Sequence, residues 1–125
     1  MAERRKTILV VDDSEIVLTY ISMMLRRMGY DRIMPAATGR EALKLIKLFV
    51  PDAVLLDIEM PDGITTLKRI REKERTTHIP VIMLTTVSEA EAQETSKKLK
   101  CAGYLTKPVK VTDLNDIMNR SITYH

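Results

Sequence analysis

Three short apolar runs stand out along the chain: Thr7 to Val11 (TILVV), Ala53 to Leu56 (AVLL) and Val81 to Leu84 (VIML). Each is short and uninterrupted by polar residues, which predicts a strand buried on both faces. Weaker runs, Arg32 to Ala36 and Tyr104 to Thr106, predict two more strands. Amphipathic stretches lie between them. From Glu15 to about Met28, the residues Val17, Leu18, Ile21, Met24, Leu25 and Met28 recur at helical spacing, and Gly29 follows as a stop signal. A second helix opens on the capping box Thr38-Gly39-Arg40-Glu41 and runs to about Phe49. A third presents Ile64, Leu67 and Ile70. The fourth opens on another capping box, Ser88-Glu89-Ala90-Glu91, and has only a thin apolar stripe of Ala90, Ala92 and Leu99. A fifth begins near Thr112 and carries Leu114, Ile117 and Met118.

Strands alternating with helices predict an α/β fold, a parallel sheet covered on both faces. Proline cannot donate to a strand ladder, so Pro35 puts the second strand at an edge. That suits a doubly wound, flavodoxin-like (βα)5 sandwich whose strands run in the order 2-1-3-4-5. The 125 residues make a single domain, 1–125, long enough to bury roughly two-thirds of the unfolded surface. Cys101 is the only cysteine, which excludes an intrachain disulfide and suits a reducing compartment. The apolar run after Arg4-Arg5-Lys6 is too short for a signal segment, and no run approaches a membrane span. The expected location is cytoplasmic. The net charge of +3 is spread over predicted helices among acids, so neither a membrane nor a direct nucleic-acid partner is expected.

Chemistry concentrates at the carboxyl ends of the strands. In a sheet ordered 2-1-3-4-5, ligands bind where the strand order reverses, between strands one and three. Strand one ends in Val10-Val11-Asp12-Asp13 and strand three in Leu56-Asp57. Three carboxylates from separate parts of the chain thus meet in one crevice. Asp12 and Asp13 could instead cap the first helix, but capping leaves Asp57 unexplained. Like charges this close raise a pKa unless a cation intervenes. Hard oxygen ligands on a rigid frame suit Mg²⁺. Strand four ends in Thr85, and Lys107-Pro108 follows strand five. Three carboxylates, one divalent cation and one ammonium sum to zero charge. Such a site, with a carboxylate nucleophile, suits a phosphoryl group.

The stretches "ILVVDDSE", "DAVLLDIEMP", "PVIMLTT" and "AGYLTKP" resemble, in order and spacing, those of response-regulator receiver domains of two-component signalling, similar to single-domain chemotaxis regulators. The resemblance spans nearly the whole chain. It implies that Asp57 is the phosphoacceptor for a sensor histidine kinase or a phosphotransfer protein. It implies that Asp12, Asp13 and Asp57 hold Mg²⁺, or Mn²⁺, together with the backbone carbonyl of Glu59. Thr85 and Lys107 match the hydroxyl and the lysine that contact the phosphoryl group. Tyr104 matches an aromatic switch that moves with Thr85. A face of helix four, strand five and helix five would then engage a downstream protein, the chain acting as a monomer or a phosphorylation-dependent dimer. Such a domain catalyses only its own phosphorylation and dephosphorylation.

Three departures qualify the resemblance. Met60-Pro61 runs straight into Asp62-Gly63, a loop about two residues short, beside the phosphorylation site. Thr86 stands where a smaller residue is common, and Cys101 where glycine is usual. Two alternatives stay open at this point. One is an aspartyl-phosphate phosphatase of the haloacid-dehalogenase type, although its Asp-x-Asp after strand one is absent. The other is a receiver that docks partners without phosphate.

Overall fold

The apolar runs become the interior. A computed structural model describes residues 4–122. The elements are β1 (Arg4–Val11), α1 (Glu15–Arg27), β2 (Tyr30–Ala36), α2 (Gly39–Phe49), β3 (Ala53–Asp57), α3 (Gly63–Glu72), β4 (Val81–Thr85), α4 (Glu89–Lys98), β5 (Gly103–Thr106) and α5 (Val111–Ser121). The five strands form one sheet in the order β2-β1-β3-β4-β5, as the sequence predicts. Every neighbouring pair is parallel. Pro35 lies on the edge strand β2, opposite Val10, so its missing amide interrupts no second ladder.

Alternate strand residues face opposite sides of the sheet. Ile8, Val10, Leu55, Ile82 and Leu84 pack under α1 and α5. Leu9, Val11, Val54, Leu56 and Val81 pack under α2 and α3. All of β3 and β4 is buried, including Asp57 and Thr85 at their ends. Fully burying one such Leu or Ile side chain contributes roughly 1.5–3 kcal/mol.

The aspartate-cap alternative fails, and two helix faces differ from the expectation. Ser14, not an aspartate, caps α1: its Oγ accepts from the Val17 amide at 3.3 Å. On α3 the expected inward Ile64 is 41% exposed, and Thr66 is buried instead. On α4 Ala90 is exposed, and the inward residues are Ala92 and Ser96. Gly29 has φ 101° just beyond α1, a left-handed stop that side chains resist. Among the described residues no helix is long and apolar enough to cross a membrane.

Candidate functional site: an acidic crevice closed by a lysine

Parallel register sets the site. Val11 lies opposite Leu56, so the next residues, Asp12 and Asp57, leave their strands side by side. One carboxylate oxygen each from Asp12, Asp13 and Asp57 lie within 4.8 Å of one another. Asp12 is fully buried and Asp57 nearly so, whereas Asp13 is exposed. Neither Asp12 nor Asp13 caps α1. Asp12 Oδ1 accepts from the Ser14 amide at 2.9 Å, which orders the turn into the helix. Asp13 makes no hydrogen bond or ion pair with the described residues.

Lys107 reaches this crevice from the end of β5. Its backbone amide is fixed by the Thr85 carbonyl at 2.8 Å. Its ammonium sits 2.7 Å from Asp12 Oδ2 and 3.1 Å from Asp57 Oδ2. Burial opposes the Lys107 charge, but the attraction of the Asp12 and Asp57 carboxylates outweighs burial and holds its pKa above the usual value. For Asp57 the balance is reversed. Burial raises its pKa, and the Glu59 amide and Lys107 only partly offset that.

The short loop does not pull Asp57 away. A Cβ at Gly63 would stand 2.6 Å from the Asp57 carbonyl oxygen and 2.7 Å from Ile58 Cα. Glycine is therefore needed where α3 starts directly against the end of β3. Asp62 precedes it, and its Oδ2 accepts from the Gly39 amide at 2.9 Å, tying the loop to the start of α2. Close packing and one cross-link thus close the loop.

Thr85 joins the site indirectly. Its hydroxyl donates to Glu59 Oε2 at 3.2 Å and accepts from the Val87 amide at 3.2 Å. The Glu59 carboxylate also accepts from the Thr86 amide at 3.0 Å and from the Thr86 hydroxyl at 2.9 Å. Meanwhile the Glu59 amide donates to Asp57 Oδ1 at 2.8 Å. The Glu59 side chain was not identified from the sequence. Only its position two residues after Asp57 hinted at it. Tyr104 stands apart from the crevice: its hydroxyl donates to Glu89 Oε2 at 2.8 Å, which raises its pKa. Cys101 is half-buried and packs against the core, and burial pushes its thiol up to about 11.

Metal compatibility follows from the donors present. Asp12 Oδ2 is buried and accepts no well-angled hydrogen bond among the described residues, the Lys107 ammonium being an ion-pair partner off that geometry. Such an oxygen, clustered with those of Asp13 and Asp57, suits a hard divalent cation.

Known proteins match this arrangement. The model of the response regulator receiver domain matches residues 8–119. The chain is 37% identical over 112 residues to the alkaline phosphatase synthesis transcriptional regulatory protein PhoP of Bacillus subtilis, covering 88% of this chain but 45% of that protein. It thus spans less than half of PhoP. A putative response regulator from Chloroflexus aurantiacus superposes with TM-score 0.86 at 33% identity, covering 94% of this chain and 97% of the other. The receiver domain of sensor histidine kinase PA1611 from Pseudomonas aeruginosa, solved with magnesium in its active-site cleft, superposes with TM-score 0.83 at 32% identity, covering 94% and 98%. With its sheet order, acidic crevice and matching residues 8–119, the chain belongs to the response regulator receiver domains of two-component signalling.

Proposed function

We propose that Asp57 accepts a phosphoryl group from a sensor histidine kinase or a phosphotransfer protein, and that this switches the α4–β5–α5 face for a downstream protein. The observation that carries the reading is the ammonium of Lys107 set between the carboxylates of Asp12 and Asp57 at 2.7 and 3.1 Å. Asp12, Asp13 and Asp57, with the backbone carbonyl of Glu59, would hold Mg²⁺ or Mn²⁺. When bound, the cation neutralises charge on the phosphoryl oxygens. An Asp57 oxygen attacks phosphorus, the phosphorus–nitrogen bond of phosphohistidine breaks, and the imidazole leaves as the acyl phosphate forms on Asp57. Lys107 offsets negative charge on the transferred group, and the Thr85 hydroxyl is the nearby donor. Tyr104 and the weakly anchored α4 are the elements free to follow.

Intact-mass measurement after incubation with Mg²⁺ and acetyl phosphate tests this. Wild type gains one phosphate. Asp57→Asn gains none, because the amide keeps the shape without the nucleophile, and its circular dichroism is unchanged. Mg²⁺ also raises the wild-type melting temperature, since binding adds roughly 2.7 kcal/mol of stability at 100 times its Kd. An Asp57→Asn protein that gains phosphate at the wild-type rate overturns the assignment. A wild type that neither responds to Mg²⁺ nor gains phosphate leaves the phosphate-independent docking receiver.

A further inference from the structure

Glu59 is exposed, yet its carboxylate collects three donors: the Thr85 hydroxyl, the Thr86 amide and the Thr86 hydroxyl. A hydroxyl has one proton to give. That of Thr85 is engaged by Glu59, and the Thr85 oxygen is occupied by the Val87 amide. Thr85 is also fully buried, so water offers it no alternative partner. It cannot donate to a phosphoryl group on Asp57 while it donates to Glu59. The Thr86 amide has one proton too, and the same exclusion applies. Charge acts in the same sense, because a phosphorylated Asp57 repels a carboxylate held nearby.

We propose that the Glu59 carboxylate is an internal stand-in for the phosphoryl group, occupying its donors on Thr85 and Thr86 and leaving when Asp57 is phosphorylated. The proposal rests on Asp57 being the acceptor. The exchange needs little motion. The Glu59 backbone stays pinned to Asp57 through the 2.8 Å amide bond, so only its side chain has to rotate. Departure frees both threonines together at the entrance to α4, which Ser88 caps only three residues after Thr85. Glu59 thereby links the state of Asp57 to the helix with the fewest buried residues. It is a positioning residue rather than a catalytic one.

The test compares wild type, Glu59→Gln and Glu59→Ala, with phosphate gain measured at saturating Mg²⁺ so that altered metal affinity does not enter. The first readout is the initial rate of phosphate gain from acetyl phosphate by intact mass. The second is hydrogen exchange of the Thr86 amide by NMR, without metal or phosphodonor. Removing hydrogen bonds to a charged acceptor should accelerate both by about tenfold in Glu59→Ala. Glu59→Gln should fall between, since its amide oxygen still accepts but carries no charge. If wild type gains phosphate and Glu59→Ala gains it no faster, the stand-in is overturned and the Asp57 acceptor survives. Unchanged Thr86 exchange also overturns it. If no variant gains phosphate, both readings fall. A gain seen only in Glu59→Ala supports both.

Discussion

Helices α1 and α4 both follow a strand whose end contributes to the crevice, yet they are held in opposite ways. α1 buries Leu18, Ile21, Met24 and Leu25. α4 buries only Ala92 and Ser96. Each has a serine cap, at least one acid in its first turn and basic residues in its last, so their ends are alike. The difference lies along their lengths. α1 is anchored by apolar area, whereas α4 depends on polar contacts at its start, including Glu89 with Tyr104 and Thr106. Apolar packing resists displacement, and a few exposed hydrogen bonds can be exchanged for others. The strand end before α1 is therefore suited to hold charge in place. The one before α4 is suited to respond.

The largest effect should come from comparing one inward residue of each helix. Ile21→Ala should cost roughly 2–5 kcal/mol of unfolding free energy, as large-to-small core changes do. Ala92→Gly should cost about 1 kcal/mol, mainly from helix propensity. Urea denaturation measures both. Equal costs would mean that α4 is as firmly anchored as α1.

A smaller effect concerns the charge held beside the strand end before α1, on Asp57 at the end of β3. The folded protein keeps a proton on Asp57 to higher pH than the unfolded chain, whose value is 3.8. Stability from this group is therefore present at low pH and lost as pH rises through the raised folded value. Asp57→Asn removes the loss. In chelator it should melt higher than wild type at neutral pH, with the gap closing as pH falls towards 3.8. A gap that is constant with pH would assign the effect to packing instead.

The smallest effect belongs to α4. Tyr104→Phe removes the hydroxyl that Glu89 accepts. Global stability should change by less than about 0.5 kcal/mol, as at most surface sites. Amide exchange in the first turn of α4 should nevertheless quicken while that of α1 does not. Unchanged exchange in α4 would show that the Tyr104 contact does not hold the helix.

Much of the architecture was legible because burial leaves a periodic trace. TILVV, AVLL and VIML mark the three central strands, and Pro35 marks the edge. The convergence of Asp12, Asp13 and Asp57 followed from strand order alone, and Lys107 reaches the expected place. What was misread involved single side chains. Ile64 and Ala90 fit an apolar stripe on paper, but Thr66 and Ser96 take the inward positions. Thr66 does so because its hydroxyl is satisfied by the Asp62 carbonyl at 2.7 Å. No hydropathy pattern records that.

The sequence by itself determined the sheet, its order and the meeting of three acids, since these depend on which residues leave water and in what period. Only the tertiary structure decided how the short loop closes and where the Glu59 carboxylate points. Gly63 against the Asp57 backbone and Asp62 against the Gly39 amide are contacts between distant or sharply turned segments. The bonds from Thr85 and Thr86 to Glu59 cross from one strand end to the next. Hydrogen bonds are short-ranged and directional, so a polar side chain beside several partners is assigned by angstroms of backbone placement. Those angstroms are absent from any one-dimensional pattern.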